Sequence, residues 1–156
     1  MRALVAADLM TPEVLAVGLD TTIPELATFL LDNEVTGAVV KSEKGHPVGV
    51  VSFTDIAAAA ESDLAREGTE EAAGFYVRTR DAGTADAPPM SKHLESVPVS
   101  EIMTPRLHFV APSTPVSEVA ATLLDLRLHR LLVIDQDELV GIISTSDLIG
   151  LLVESA

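Results

Sequence analysis

Two segments of the chain carry the same short motifs in the same order. The tripeptide Met-Thr-Pro occurs at Met10–Pro12 and at Met103–Pro105. The run GVVSFTDI, Gly49–Ile56, matches GIISTSDL, Gly141–Leu148. The offset between the copies is 93 residues at the first motif and 92 at the second. One residue is therefore absent from the second copy, which we place in a hairpin turn near Glu138. A repeat of this length is one supersecondary unit, so the chain is expected to fold as two copies of it.

Each copy is predicted to fold in the order β-α-β-β-α. Thr22-Ile23-Pro24-Glu25 has the spacing of a capping box, and Thr114-Pro115 places a cap residue before a proline, so each Thr is expected to start a helix. Apolar runs bounded by turn residues predict the strands: Val14–Val17, Ala38–Lys41 and Pro47–Val51 in the first copy, and Leu107–Val110, Leu131–Ile134 and Leu139–Ile143 in the second. A second helix is expected after Ser52 and Ser144, and a short helix before each copy, around Ala6–Met10 and Val99–Met103.

The segment between the copies resembles neither of them. Residues 57–65 are rich in Ala and are expected to prolong the second helix of the first copy. Residues 66–95 mix Gly, Ala, Pro, Asp and Thr, which predicts a long loop whose one apolar island is Phe75–Val77. The predicted organisation is a first copy at 1–62, a linker at 63–95 and a second copy at 96–156, in the mixed α/β (α+β) class.

Composition argues against several classes of function. Hydrophobic residues make up 47% of the chain and aromatic residues only 3%, so the core is expected to be aliphatic. The absence of Cys suits a reducing cytoplasm and excludes Cys-based metal sites. A net charge of -14 disfavours nucleic acid, and no apolar run approaches the roughly 20 residues of a membrane span. We therefore expect a cytoplasmic protein that binds neither nucleic acid nor membrane.

The end of the repeat is the place where binding chemistry is expected. Each copy has a strand-to-helix turn with two hydroxyls and one carboxylate: Ser52, Thr54 and Asp55 in the first, and Ser144, Ser146 and Asp147 in the second. Backbone N–H groups at a helix start attract anions, and hydroxyls there can add hydrogen bonds to phosphate. The carboxylate can accept hydrogen bonds from a ribose diol. The alternative is a plain helix cap, because Ser-x-x-Asp before an apolar run is also a capping box.

A cationic pair, His129 and Arg130, precedes the middle strand of the second copy. Arg can hold a phosphate with two hydrogen bonds, and His adds a donor whose charge depends on pH. The alternative is that Arg130 pairs with a surface carboxylate. The first copy has Thr36 and Gly37 at the corresponding positions. Its turn is therefore expected to bind a neutral or adenosine-like group, or nothing.

These motifs together resemble the CBS motif, named after cystathionine β-synthase, and the pair resembles a Bateman module. The resemblance rests on Met-Thr-Pro followed by a strand, the Thr-led helix, and the ending Gly-apolar-apolar-Ser-x-[Ser/Thr]-Asp. The segment Leu128–Leu148 is similar to the nucleotide-binding repeats of the gamma subunit of AMP-activated protein kinase. The resemblance implies two β-α-β-β-α motifs related by pseudo-two-fold symmetry.

The resemblance further implies a non-catalytic sensor that modulates a partner protein. Its ligand would be AMP, ADP or ATP, or alternatively S-adenosylmethionine, and no cofactor would be required. Two clefts are implied: one joins Thr21 or Thr22 with Ser144, Ser146 and Asp147, beside His129 and Arg130, and the other joins Thr114 with Ser52, Thr54 and Asp55. A homodimer is also implied, and the candidates for its interface are the apolar residues near the C-terminus: Leu148, Ile149, Leu151 and Leu152. The alternative is that these residues belong to the core of the chain itself. The target protein is unknown.

Two other functions compete with the sensor. In an interaction scaffold the clefts would be filled by side chains, and dimerisation or partner binding would be the whole function. A small enzyme is the other candidate, but the chain has no HExxH, GxSxG or Walker motif, and its four His are scattered. We therefore predict no catalytic and no metal-binding residues.

Overall fold

The computed structural model describes residues 2–67 and 92–154. Their helices and strands follow in the order α1 Ala6–Leu9, β1 Ala16–Gly18, α2 Ile23–Asp32, β2 Gly37–Lys41, β3 Pro47–Ser52, α3 Phe53–Glu67, α4 Lys92–Ser96, α5 Val99–Ile102, β4 Phe109–Val110, α6 Val116–Leu126, β5 Arg130–Asp135, β6 Glu138–Ser144 and α7 Thr145–Glu154. The predicted β-α-β-β-α order occurs twice, each time after a short helix. The mixed α+β class is therefore confirmed.

The strands form two three-stranded sheets, ordered β1-β2-β3 and β4-β5-β6. In the second sheet β4 runs parallel to β5, with Phe109 opposite Leu132, and β5 runs antiparallel to β6. Gln136 and Asp137 alone connect β5 to β6, and both have positive φ, 48° and 65°. Positive φ at both central residues is the type I′ geometry, whose twist matches that of the two strands. This tight turn makes the second hairpin the shorter one, as the change in offset predicts.

The chain divides into two compact units that do not coincide with the two copies. The first unit comprises Met1–Ala16, Val39–Val50 and Thr104–Ala156, and the second comprises Val17–Ala38 and Val51–Met103. The core of the first unit is aliphatic, as composition predicts: Ala6, Val110, Val119, Leu123, Leu131, Val133 and Ile143. Four of these residues come from the strands β4, β5 and β6, and the other three come from α1 and α6.

Each Met-Thr-Pro motif pairs with the hairpin of the other copy. Thr11, from the first motif, exchanges two backbone hydrogen bonds with Ile142 of β6, at 2.8 and 3.0 Å. Thr104, from the second motif, exchanges two with Val50 of β3, at 2.8 and 3.0 Å. The first sixteen residues therefore belong to the same unit as residues 104–156 of the second copy.

The two helices that follow the first strands begin differently. Thr22 caps α2 as predicted: its Oγ1 accepts from the N–H of Glu25, and the Glu25 carboxylate accepts from the N–H of Thr22. The prediction that Thr114 caps the equivalent helix is wrong, since the N-cap of α6 is Pro115. The hydroxyl of Thr114 is used in the preceding turn, where it accepts from the N–H of Ala111 at 3.1 Å.

The described ends of the central segment are helical. α3 continues to Glu67, as the Ala-rich composition of residues 57–65 predicts. The predicted loop over 66–95 is wrong at both ends, because residues 66–67 belong to α3 and residues 92–95 to α4. Burial of Leu94, which is only 6% exposed, anchors α4. The Phe75–Val77 island lies outside the described residues. Within the described ranges, no helix combines the length and the hydropathy needed to span a bilayer.

Candidate functional site

The Ser-x-x-Asp turns of the two copies share two hydrogen bonds, and the turn of the second copy has a third, from the N–H of Asp147 to Ser144 Oγ at 3.4 Å. In the second copy the N–H and the Oγ of Ser144 both donate to Asp147 Oδ2, at 2.7 and 2.9 Å. In the first copy the N–H and the Oγ of Ser52 donate to Asp55 Oδ2, at 2.8 and 3.3 Å. Both carboxylates therefore serve as capping-box acids at the starts of α7 and α3.

Capping leaves part of each turn available for other contacts. Asp147 uses only Oδ2, and no described residue donates a hydrogen bond to its Oδ1. The side chain is half-buried, and Ser146 beside it is exposed. A carboxylate has about four acceptor positions on its two oxygens, so a helix cap and a ligand hydroxyl can share Asp147. The capping role and the binding role are thus compatible.

The cationic pair lies directly beside the turn of the second copy. Arg130 stands opposite Ser144 in the antiparallel pairing of β5 with β6. The backbone oxygen of His129 accepts from the N–H of Thr145, the first residue of α7, at 3.0 Å. Both members of the pair are exposed, and within residues 2–67 and 92–154 the guanidinium of Arg130 forms no ion pair. The alternative, that Arg130 is neutralised by a surface carboxylate, is thus not observed in these ranges.

The first copy has the same backbone arrangement without the cations. The N–H of Phe53, at the start of α3, donates to the oxygen of Thr36 at 3.1 Å. A Cβ atom at Gly37 would lie 3.1 Å from the carbonyl oxygen of Val51 and 3.5 Å from the Cβ of Ser52. Gly37 therefore brings the start of β2 close to the Ser52 turn and contributes no charge there.

The family model of the CBS domain matches residues 5–62 and 99–154 of the chain. The chain belongs to the CBS domain family. The tandem pair of CBS motifs predicted from the repeat is thereby confirmed. A comparison of sequences finds no matching curated protein.

Solved structures of other CBS proteins share the fold. A CBS domain-containing protein of unknown function from Kribbella flavida has 24% identity, a TM-score of 0.73, and coverage of 97% of this chain and 99% of its own. The CBS domain pair of protein MJ0100, solved with 5′-methylthioadenosine and S-adenosyl-L-methionine, has 19% identity, a TM-score of 0.69, and coverage of 99% and 100%. CBSX2, solved with AMP, has 24% identity, a TM-score of 0.68, and coverage of 97% of both chains. At these identities the likeness is one of fold.

The remaining candidate residues are divided between the compact units. Ser144, Ser146 and Asp147 belong to the first unit with Thr114, whereas Thr21 and Thr22 belong to the second unit with Ser52, Thr54 and Asp55. The CBS resemblance pairs Thr residues and turns that fall in different units, so that pairing stays a prediction. Val17 and Val110 are each 9% exposed and belong to the core.

A cavity opens beside the turn of the first CBS motif. Its volume is about 330 Å³, and it lies in the second unit. Asp55, Asp63 and Glu101 bring three carboxylates to its wall, together with His93. Apolar side chains complete the wall: Ala58, Ala59, Leu94, Val97 and Ile102. Acidic side chains outnumber basic ones in this lining, which disfavours phosphate.

Proposed function

We propose that this CBS domain protein is a regulatory module that binds an adenine nucleotide at the Ser144–Asp147 turn of its second motif. The proposal rests above all on the position of Arg130 opposite Ser144, at the start of α7. An exposed guanidinium, a serine hydroxyl and the N-terminus of a ten-residue helix come together there. Each of these groups attracts a phosphate, and together they hold one from several sides.

Different residues at this turn would bind different parts of the nucleotide. Arg130 and His129 would bind the phosphate, with Ser146 adding a hydroxyl contact. Ser144 would add a second by turning its hydroxyl proton from Asp147 to the phosphate. Asp147 would accept hydrogen bonds from the ribose through Oδ1, the oxygen that capping leaves over. Proteins of the same fold support an adenosine-containing ligand, since MJ0100 was solved with two adenosyl compounds and CBSX2 with AMP. AMP, ADP and ATP are the ligands we expect in the second motif.

The first motif would take a ligand of different charge. It has Thr36 and Gly37 in place of the cationic pair, and the cavity beside Asp55 is lined by carboxylates. A neutral or cationic adenosyl compound, of which S-adenosylmethionine is an example, fits this charge better than a nucleotide does. Binding of S-adenosylmethionine that survives Arg130→Ala, with loss of AMP binding, would support two sites of different preference.

A regulatory module also needs a surface that contacts another protein and that responds to ligand binding. Helix α7 has no buried residue, and Ile149, Leu152 and Val153 are 60%, 72% and 74% exposed. Leu124 of α6, in the same unit, is 78% exposed. Exposed apolar residues in such number are typical of protein contacts. We propose that this face pairs two copies of the chain as a homodimer, and that ligand binding alters how the dimer engages its target.

Isothermal titration with AMP, ADP, ATP and S-adenosylmethionine tests the proposal. We expect saturable binding of AMP that is lost in Asp147→Ala and retained in Asp125→Ala, which removes an exposed acid from α6. Thermal unfolding of each variant shows whether it is folded, and nucleotide should raise the midpoint of the wild type. A folded wild type that binds none of the four ligands would favour the interaction scaffold instead.

A further inference from the structure

Phe109 projects from the face of the second sheet that carries Arg130 and Ser144. Successive side chains of a strand point to opposite faces, and Val110, the next residue of β4, lies in the core. Phe109 therefore points away from that core. It stands opposite Leu132 in the parallel pairing of β4 with β5, and Arg130 lies two residues before Leu132, on the same face. Ser144 pairs with Arg130, so its side chain is on this face too.

The distance from Phe109 to Arg130 follows from this register. The two residues are one strand apart and two positions apart along the strands. With about 4.8 Å between strands and about 3.3 Å per residue, their Cα atoms are roughly 8 Å apart. In a nucleotide the ribose separates the base from the phosphate by a similar length. A ligand whose phosphate is held by Arg130 can therefore lay its base on Phe109.

The ring of Phe109 is accessible to such a ligand. Its exposed fraction is 54%, whereas Phe29 and Phe53 are half-buried. Leu132 beside it is only 5% exposed, and Ile142, opposite Leu132 on β6, is half-buried. The face next to the ring is thus apolar. Bases stack on aromatic side chains through their ring faces, which requires no hydrogen bond from the protein.

The first copy of the repeat lacks both the aromatic ring and the cations. At the offset of 93, Ala16 stands in place of Phe109, and Thr36 and Gly37 stand in place of the cationic pair. β1 forms with Ala16 as its first residue, so the strand does not need a large side chain there. The ring and the cations occur together in one copy and are missing together from the other. A single ligand that has a base as well as a phosphate explains this joint occurrence.

We propose that Phe109 binds the base of the nucleotide by stacking, and that it determines how much the base contributes to affinity in the second CBS motif. Arg130 holds the phosphate at the end of the sheet, and the base lies over Phe109 with Leu132 and Ile142 beside it. This inference rests on the proposed nucleotide function and adds to it the residue that recognises the base.

Titration of the full chain with AMP and with ribose 5-phosphate, which is AMP without its base, tests the inference. We expect Phe109→Ala to weaken AMP binding about tenfold, the loss of one stack between a base and an aromatic ring. Ribose 5-phosphate should bind no more weakly to Phe109→Ala than to the wild type. Phe109→Tyr keeps the ring and should bind AMP as the wild type does. Leu126→Ala is the matched control, since it shortens an apolar side chain that is 48% exposed at the end of α6.

A direct readout of stacking comes from Phe109→Trp, because the chain has no other tryptophan. AMP should quench the fluorescence of this variant as it saturates the site, whereas ribose 5-phosphate should leave the fluorescence unchanged. Adding Arg130→Ala should raise the AMP concentration needed for quenching, because the ring and the guanidinium hold the same ligand. Thermal unfolding shows that each variant is folded, as the exposure of Phe109 leads us to expect.

The outcomes separate this inference from the function on which it rests. AMP binding that is unchanged in Phe109→Ala, or a Phe109→Trp fluorescence that saturating AMP does not change, overturns the stacking and leaves nucleotide binding intact. If the wild type binds no nucleotide, adenosine is titrated instead. Adenosine binding that is lost in Phe109→Ala would then support the base contact while the phosphate site fails, and no binding would refute both.

Discussion

Met10 packs so closely on Gly141 that a Cβ atom at residue 141 would lie 2.5 Å from the Met10 sulfur and 2.9 Å from its Cγ. Cβ atoms essentially never approach another heavy atom within 3.0 Å. The glycine of the GIISTSDL motif therefore admits the methionine of the Met-Thr-Pro motif. This one contact explains why a methionine stands at position 10 and a glycine at position 141, in two motifs that are distant in sequence.

The first prediction follows from this contact. Gly141→Ala should destabilise the protein by about 1–3 kcal/mol, because Met10 must move or the strand must shift. Met10→Ala in the same chain should recover part of the loss by making room for the new methyl group. Chemical denaturation measures both. Gly150→Ala in α7 is the control, since no atom lies within 4 Å of its Cβ position, and it should be neutral or stabilising. A harmless Gly141→Ala would contradict the packing argument.

The second prediction concerns the paired capping carboxylates. Asp55→Ala and Asp147→Ala should each lower the free energy of unfolding by about 1 kcal/mol, because each removes the acceptor of two Ser hydrogen bonds at a helix start. Only Asp147→Ala should also reduce AMP affinity. Denaturation and titration of the same samples separate the two effects. Equal loss of AMP affinity in both variants would place the nucleotide at both turns.

The third prediction concerns the apolar face of α7. Leu152→Glu should shift the protein from dimer to monomer in sedimentation, because the carboxylate would be buried at the proposed interface. The fold of the monomer should be unchanged, since Leu152 is exposed. Leu148→Glu is the contrasting variant, because Leu148 packs against the core and its replacement should unfold the chain. A wild type that sediments as a monomer would disprove the homodimer.

The fourth prediction concerns the tight turn between β5 and β6. Asp137 has a φ of 65°, a conformation that glycine adopts without steric cost. Asp137→Gly should therefore leave the free energy of unfolding unchanged or raise it, by up to about 1 kcal/mol. Asp137→Val should lower it, since a β-branched residue is strained at positive φ. Thermal unfolding of the pair provides the measurement, and similar midpoints for Gly and Val would argue against a type I′ turn.

Much of the fold could be predicted because its signals are local. Strand positions followed from apolar runs, and the capping box at Thr22 and Glu25 marked the start of α2. The same reasoning failed at Thr114, because its hydroxyl accepts a hydrogen bond from the N–H of Ala111 in the preceding turn and does not cap α6. It also failed for α4, where burial of Leu94 outweighs a composition typical of loops. A local sequence pattern does not show whether a residue such as Leu94 will be buried by contacts with other parts of the chain.

The candidate site was predictable only in part. The turn residues and His129-Arg130 belong to motifs that are visible in the sequence, and the structure places Arg130 opposite Ser144. The parallel pairing of β4 with β5, which places Phe109 opposite Leu132, could not be predicted, because the sequence does not specify the register between strands that are distant along the chain.

The pairing of Thr11 with Ile142 also sets an order of events during synthesis. These two residues come from opposite copies of the repeat, so their hydrogen bonds close a very long loop. During synthesis the first Met-Thr-Pro segment cannot form these hydrogen bonds until β6 has left the ribosome. Contacts of such sequence separation slow folding, because chain entropy is lost before they form. The first unit is therefore expected to fold late and all at once, and truncation within β6 should leave the N-terminal segment without its partner.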